Sequence, residues 1–297
     1  MKLSWARKFA ANLIPPISIH VWGGTGSQLF AICLLFDLKH RFKFRNVKLV
    51  FHNSGVTKRG LDLNYSPITT NISSFDDFNH VSDPNTHSGR ESLPLKILLK
   101  KLSTLTGIFS QANTATEYKN LRPWILIVRG HYSYRPLSSE TIVELMKFLE
   151  NASGLKFKRG REDALALHYR LGDLMHLKQK SYINEERIRN LLISDPLLHK
   201  EKKLLLYSDS PDEALTKVRH LKFFGELELR PNDLISSMFE ICSAKKFIGT
   251  NSKITLWCAI LRHQTDNSLL SFIPKELKNN LILILSSSDK SRNITFY

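Results

Sequence analysis

Short apolar runs that stop abruptly at polar, glycine-bearing tips recur along this chain. Ile17–Trp22 ends in Gly23-Gly24-Thr25-Gly26-Ser27-Gln28, and Trp124–Val128 ends in Arg129-Gly130-His131-Tyr132. Ala164–Tyr169 ends in Arg170-Leu171-Gly172-Asp173. Apolar runs of about four to eight residues closed in this way read as buried, parallel strands. Between them lie stretches with helical spacing. One runs through Leu29, Phe30, Cys33, Leu34 and Leu38 to a basic last turn, Lys39-His40-Arg41, which complements the helix dipole. Another is Thr141–Leu149, with Ser138, Ser139 or Glu140 near its start. Val47–Phe51 reads as a second strand, so the first third of the chain predicts a βαβ unit.

From Ala164 the alternation is regular. Helices are expected at Asn184–Ile193, Pro211–His220, Leu234–Cys242 and Ile254–Leu261, with strands at Lys203–Tyr207, Phe223–Leu229 and Lys246–Ile248. His52 to Asn120 is polar and irregular, and only Leu93–Leu105 has helical spacing there. Asn151–Asp163 is short, basic and glycine-containing, the composition of a linker. Two α/β domains are therefore expected, over residues 1–155 and 156–297.

Hydrophobic content of 42% and charged content of 24% are ordinary for a soluble globular protein. The formal net charge of +16 is not, and it favours anionic partners such as nucleic acid, anionic lipid or phosphorylated small molecules. Cys33, Cys242 and Cys258 sit in apolar segments without metal-ligand spacing, which predicts buried thiols and no zinc site. Pro15 and Pro16 interrupt the apolar N-terminal run, so it does not read as a signal peptide. No apolar stretch approaches the roughly 20 residues that span a bilayer. A cytoplasmic protein is expected, with peripheral contact on the inner face of the cytoplasmic membrane.

In open α/β sheets, ligands bind beyond the carboxyl ends of the strands. The tip after Ala164–Tyr169 therefore draws attention. His168 and Arg170 share a side of the strand, and the planar guanidinium of Arg170 suits paired phosphate oxygens. Asp173 could orient Arg170 or take a proton, and Gly172 would allow a close backbone approach. The plain alternative is a structural Arg–Asp pair at a strand end. Asp209, in Tyr207-Ser208-Asp209-Ser210-Pro211, could accept two donors from a guanine edge or simply cap the next helix. Thr250, Asn251 and Ser252, after Gly249, offer hydroxyls and amides that suit a diphosphate, or that cap a helix.

Together these residues resemble the α-1,2-fucosyltransferase family, glycosyltransferase family 11. Gly23–Phe30 is similar to its Gly-Gly-X-Gly-Asn-Gln-Leu-Phe motif, with Ser27 for Asn. His168–Asp173 is similar to its His-X-Arg-Arg-Gly-Asp motif, with Leu171 for the second Arg. Ser208-Asp209-Ser210 resembles a Ser-Asp-Asp motif, and Gly249–Ser252 with Trp257 resembles Gly-Thr-Asn-Ser followed by a Trp-bearing helix. The matches keep the family's order from Gly23 to about Leu261.

The resemblance implies a GT-B architecture of two Rossmann-like domains facing across a cleft. The N-terminal domain would take the acceptor and the C-terminal domain the GDP-sugar. It implies an inverting transfer of L-fucose from GDP-fucose to a hydroxyl, O-2 of galactose, on a glycan acceptor that can be lipid-linked, in surface polysaccharide synthesis. No metal or other cofactor is expected. Arg170 would grip the β-phosphate, His168, Ser208 and Asp209 would lie near the nucleotide, and Thr250, Asn251 and Ser252 near the phosphates. Gly24, Gly26 and Gln28 would face the donor from the other domain. Asp173 and His131 are candidates for the base that receives the acceptor's proton. Leu171, in place of the second Arg, removes one expected phosphate contact.

The remaining aromatic and basic residues are read more plainly. Trp257, Trp124 and Phe247 are expected in the core, and His20 as a structural histidine. Tyr132 and Tyr134 suit a sugar ring or a solvated loop equally well, and Lys96–Lys101 and Lys156–Arg161 read as solvated faces. A basic nucleic-acid-binding protein is the competing class, but the cations are dispersed rather than interleaved with aromatics on one element. Another GDP-deoxysugar donor, such as GDP-colitose, is a second alternative on the same fold.

Overall fold

The computed structural model describes residues 15–21, 24–43, 45–52, 78–81, 105–106, 108–111, 121–129, 133–158, 162–175, 182–198, 201–221, 225–230, 233–285 and 293–297. It divides the chain into two compact units, Met1–Leu137 and Ser138–Tyr297.

In the first unit, β1 (Ile17–Val21) leads into α1 (Thr25–Arg41) and then β2 (Val47–His52). The strands pair in parallel with Ile17 opposite Val47, which gives the expected βαβ unit. β3 (Phe78–Val81), β4 (Phe109–Gln111) and β5 (Ile127–Arg129) complete a parallel sheet in the order β3-β2-β1-β5-β4. α1 is buried along most of its length between Gly26 and Leu38, and its basic last turn reaches solvent. Arg45, just before β2, ties the sheet's lower end by donating to the carbonyls of Pro123 and Ile125 (both 2.6 Å) and of Pro15 (2.5 Å).

The second unit opens with α2 (Ser139–Ser153), capped by Ser138 and closed by Gly154 in the left-handed region, φ 71°. Next come β6 (Glu162–Tyr169), a short 3-10 turn at Gly172–Met175, α3 (Glu185–Ser194), β7 (Lys203–Ser208), α4 (Pro211–Arg219) and β8 (Glu226–Leu229). The second half holds α5 (Leu234–Ser243), β9 (Ala244–Gly249), α6 (Lys253–Thr265), β10 (Leu270–Ile273), a 3-10 turn at Lys275–Leu277, α7 (Lys278–Leu285) and β11 (Ile294–Phe296). All six strands are parallel, in the order β8-β7-β6-β9-β10-β11. Counted within the unit this is 3-2-1-4-5-6, the Rossmann order. The expected pair of Rossmann-like α/β units is therefore present.

The core follows from strand alternation. Leu165, Leu167 and Tyr169 point to one face, packed with Ile188, Leu191, Ala214 and Val218 of α3 and α4. On the other face His168 meets Thr255 of α6. Cys33, Cys242 and Cys258 are free and buried. Among the described residues no helix is long and apolar enough to cross a membrane.

Three expectations differ. The expected boundary at 155/156 falls instead at Leu137/Ser138, because α2 packs on α5 and α6 and so belongs to the second unit. The supposed linker Asn151–Asp163 begins inside α2 and ends inside β6. Trp124 is 53% exposed rather than a core residue, held in a turn by a bond from its indole N–H to the Thr106 carbonyl (2.7 Å) and by the Arg122 guanidinium over its ring. Trp257 and Phe247 are fully buried, as expected.

Candidate functional site

The strand order of the second unit reverses between β6 and β9, and this is where a doubly wound sheet opens a crevice at its carboxyl edge. His168 of β6 lies opposite Gly249 of β9 and Tyr207 of β7, so the three tips that follow them arrive together. The joint is made by Thr250. Its backbone N–H donates to the His168 carbonyl (3.2 Å), its hydroxyl donates to the same carbonyl (3.0 Å) and accepts the Arg170 N–H (2.8 Å). Thr250 has no exposed surface. Its N–H and hydroxyl, expected near the phosphates, are engaged inside the sheet joint, where they set the course of residue 170.

Asp209 does the corresponding work from the β7 side. One carboxylate oxygen accepts the Leu171 N–H (2.9 Å) and the other pairs with the Arg170 guanidinium (2.9 Å). These side chains keep 29% (Arg170) and 25% (Asp209) of their surface, so a ligand can reach the guanidinium that Asp209 holds. Asp209 is thus a partner of Arg170; the Asp173 side chain, expected to orient it, lies outside the described residues. Asp209 also does not act as the cap of α4, whose N-cap is Ser210. Gly172 allows this arrangement, since a Cβ there would sit 2.1 Å from Asp209 Oδ2. The close approach that the structure shows at Gly172 is to Asp209. Ser208 stitches β7 to β6, donating to the Tyr169 carbonyl (2.7 Å) and accepting the Ser210 N–H (3.0 Å).

His168 is 5% exposed and its Nδ1 lies 3.3 Å from the Thr255 hydroxyl. Burial, aided by the Arg170 charge, pushes its pKa down to about 3, so the ring stays neutral at ordinary pH. Such a ring supports the strand tip from beneath. The α6 N-terminus completes the group: Ser252 caps it by accepting the Ile254 N–H (3.1 Å), and Asn251 stands beside it, partly exposed. The first residue of α6, Lys253, escaped the motif reading. It is an ammonium whose pKa burial lowers to about 8, and no carboxylate occurs in the first turn.

In the first unit, Gly24 caps α1 without a side-chain bond; its carbonyl accepts the N–H groups of Ser27 (2.7 Å) and Gln28 (3.2 Å). Gly26 and Gln28 are buried inside α1, and Gln28 Oε1 has no hydrogen-bond partner among the described residues. An orphan carbonyl oxygen is an acceptor, and it matches a hydroxyl rather than a phosphate. Tyr134 adopts φ 64°, rare for a residue with a Cβ, and its ring meets Phe30 edge-on at 5.9 Å. His131 and Tyr132 lie outside the described residues, as do Gly23 and Lys96–Lys101.

One buried residue had no sequence signal as a structural group. Arg262 of α6 has no exposed surface, and its guanidinium donates to Ser271 Oγ and to the carbonyls of Ile241, Ala244, Lys245 and Leu270. It anchors α6 behind the candidate site. Burial lowers its pKa to about 10, which leaves it charged.

No family model and no curated protein matches the chain. Among solved structures, the E. coli heptosyltransferase WaaC with ADP aligns over 95% of this chain and 92% of its own at 11% identity and a TM-score of 0.45. POFUT1 in complex with GDP aligns over 87% and 98% at 12% identity and a TM-score of 0.39. A glycosyl transferase of family 9 from Veillonella parvula aligns over 88% and 80% at 10% identity and a TM-score of 0.43. Likenesses at these scores carry no argument about fold or function, which rest here on the strands and side chains described above.

Proposed function

We propose that this chain is a glycosyltransferase that binds a nucleotide-diphosphate sugar at the carboxyl edge of its second unit and transfers the sugar with inversion. The observation that carries the reading is Arg170, fixed at the β6–β9 switch point by Asp209 and Thr250 while its guanidinium stays partly exposed. As the bond between the anomeric carbon and the diphosphate breaks, negative charge develops on the leaving group. A preorganised guanidinium and the amides at the α6 N-terminus are placed to take it up. The new bond forms between the anomeric carbon and an acceptor oxygen, whose proton passes to a base. Asp173 and His131 remain the residues proposed for that proton.

Sequence resemblance supports the finer reading: a GT-B enzyme whose donor is GDP-fucose and whose acceptor is a galactose O-2 on a glycan, working without metal. The four motifs converge in part in space, since His168–Asp173, Ser208–Ser210 and Gly249–Ser252 meet at one sheet edge. Peripheral contact with anionic membrane, where a lipid-linked acceptor would lie, belongs to the same proposal. Equal binding to neutral and anionic vesicles would remove that part.

The test is donor hydrolysis and transfer across GDP-fucose, GDP-colitose and other nucleotide sugars, with and without chelator. GDP-fucose turnover that survives chelation is the expected result, and Arg170→Ala should lower it about 10²–10³-fold. Near-normal turnover in that variant would take Arg170 out of the mechanism.

A further inference from the structure

We propose that Tyr297 is a positioning residue for this donor site: its phenol holds the Gly249 peptide, and through it the joint that carries Arg170. The inference rests on the reading of the site given above.

The argument begins with strand geometry. The peptide between Gly249 and Thr250 directs its N–H to the His168 carbonyl on β6. A trans peptide points its C=O the opposite way, so the Gly249 carbonyl faces β10. Ile248 is opposite Phe272, and one step further the ladder donor for that carbonyl would be the N–H of residue 274. Residue 274 is proline and has none. The Tyr297 phenol donates to the Gly249 carbonyl instead, at 3.0 Å.

Tyr297 is itself held from several directions. Its N–H donates to the Ile273 carbonyl (3.0 Å), and its own carbonyl accepts the Lys275 N–H (2.9 Å) and Arg187 Nη2 (2.6 Å). The Arg187 guanidinium also lies 5.3 Å from the Tyr297 ring centre and forms a two-point pair with Glu276 (2.5 and 3.0 Å). Burial raises the phenol's pKa, so it remains a donor across the working range. A continuous path results, from the Tyr297 hydroxyl to the Gly249 carbonyl, then through Thr250 to the His168 carbonyl and the Arg170 N–H. Without the hydroxyl, the Gly249 peptide loses its only fixed partner on the β10 side among the described residues, and the turn at 249–252 is free to tilt.

Tyr297→Phe removes the hydroxyl and keeps the ring under Arg187. Its GDP dissociation constant, by calorimetry, should rise roughly three- to tenfold, the scale of one net hydrogen bond, while the GMP constant changes less. The KM for the sugar donor should rise with it. A structural role alone would lower the melting temperature without separating GDP from GMP. The second variant is Pro274→Ala combined with Tyr297→Phe, which restores an N–H at the vacant ladder position and should recover GDP affinity. If the wild-type protein binds GDP and Tyr297→Phe binds it equally well, the positioning role is overturned and the site reading stands. Failure of the double variant to regain affinity also overturns it. If the wild-type protein does not bind GDP at all, the site reading itself fails and this inference goes with it.

Discussion

At residue 172, a single methyl group decides whether Asp209 can reach Arg170. The ideal Cβ position lies 2.1 Å from Oδ2 and 2.9 Å from Cγ of Asp209, and that carboxylate is short and doubly engaged. Gly172→Ala should therefore displace the carboxylate, free Arg170 to swing, and weaken GDP binding by about tenfold, the lower end of the scale for one charge-assisted hydrogen bond. Calorimetry on the variant, with circular dichroism to show an unchanged fold, checks this; unaltered affinity would separate Asp209 from the site. His168 gives a prediction of a different kind. Its folded-state pKa is about 3 against 6.5 for a free imidazole, so between those values the unfolded chain binds a proton that the fold excludes. The stability involved is fully present above pH 6.5 and is lost progressively as pH falls toward 3. Urea midpoints at pH 7 and pH 5 should drop for the wild-type protein and drop less for His168→Gln; equal drops would show that other groups set the acid limb.

Among the elements, α6 shows most clearly what a linear reading can and cannot reach. Its start at Gly249-Thr250-Asn251-Ser252 and its apolar body are plain from spacing and turn chemistry. That Arg262, eight residues before β10 begins, is the helix's anchor is not. In the sequence it looks like an ordinary basic last turn. Its role depends on the α5–β9 bend and β10 arriving around one guanidinium, which only register and packing decide. The same reason explains why the pairing of Arg170 with Asp209, a carboxylate from beyond the neighbouring strand, is not legible in the sequence, and why β10, α7 and β11 give no clear signal there. These last elements are short and lack glycine-marked tips, and their place in the sheet comes from tertiary pairing. By contrast β1, β6 and β7 carry apolar runs ended by polar turns, β9 carries a short Phe247-Ile248 pair closed by Gly249, and all four lie at the places the pattern predicts. Arg262→Met would keep the volume but strand several carbonyls, and buried groups left unpaired cost about 1–3 kcal/mol each. A loss of about 3 kcal/mol or more in urea unfolding is expected, and a loss below about 1 kcal/mol would show that water satisfies those carbonyls.

For the whole molecule, the net charge of +16 invites a search for an extended anionic partner, yet several of the arginines are committed to bonds within the fold. Arg45 and Arg262 bind backbone carbonyls, Arg187 pairs with Glu276, and Arg135 pairs with Asp37. These four cations are structural staples, and Arg170, held by Asp209 yet partly exposed, is a guanidinium placed for a local anion. The division of the chain sharpens the point. Every described side chain proposed to hold the diphosphate lies within Ser138–Tyr297, a unit with its own sheet, its own core and its own capped first helix. A fragment starting at Ser138 should therefore fold cooperatively and bind GDP within about tenfold of the full chain, while transferring no sugar. The affinity should fall as salt rises from low to physiological strength, since the guanidinium is partly exposed and screened accordingly. Calorimetry and a single urea transition on the fragment check both halves of the expectation. A fragment that folds yet shows no GDP heat would move the nucleotide's binding energy onto the glycine turn of the first unit, and with it the task now given to Arg170.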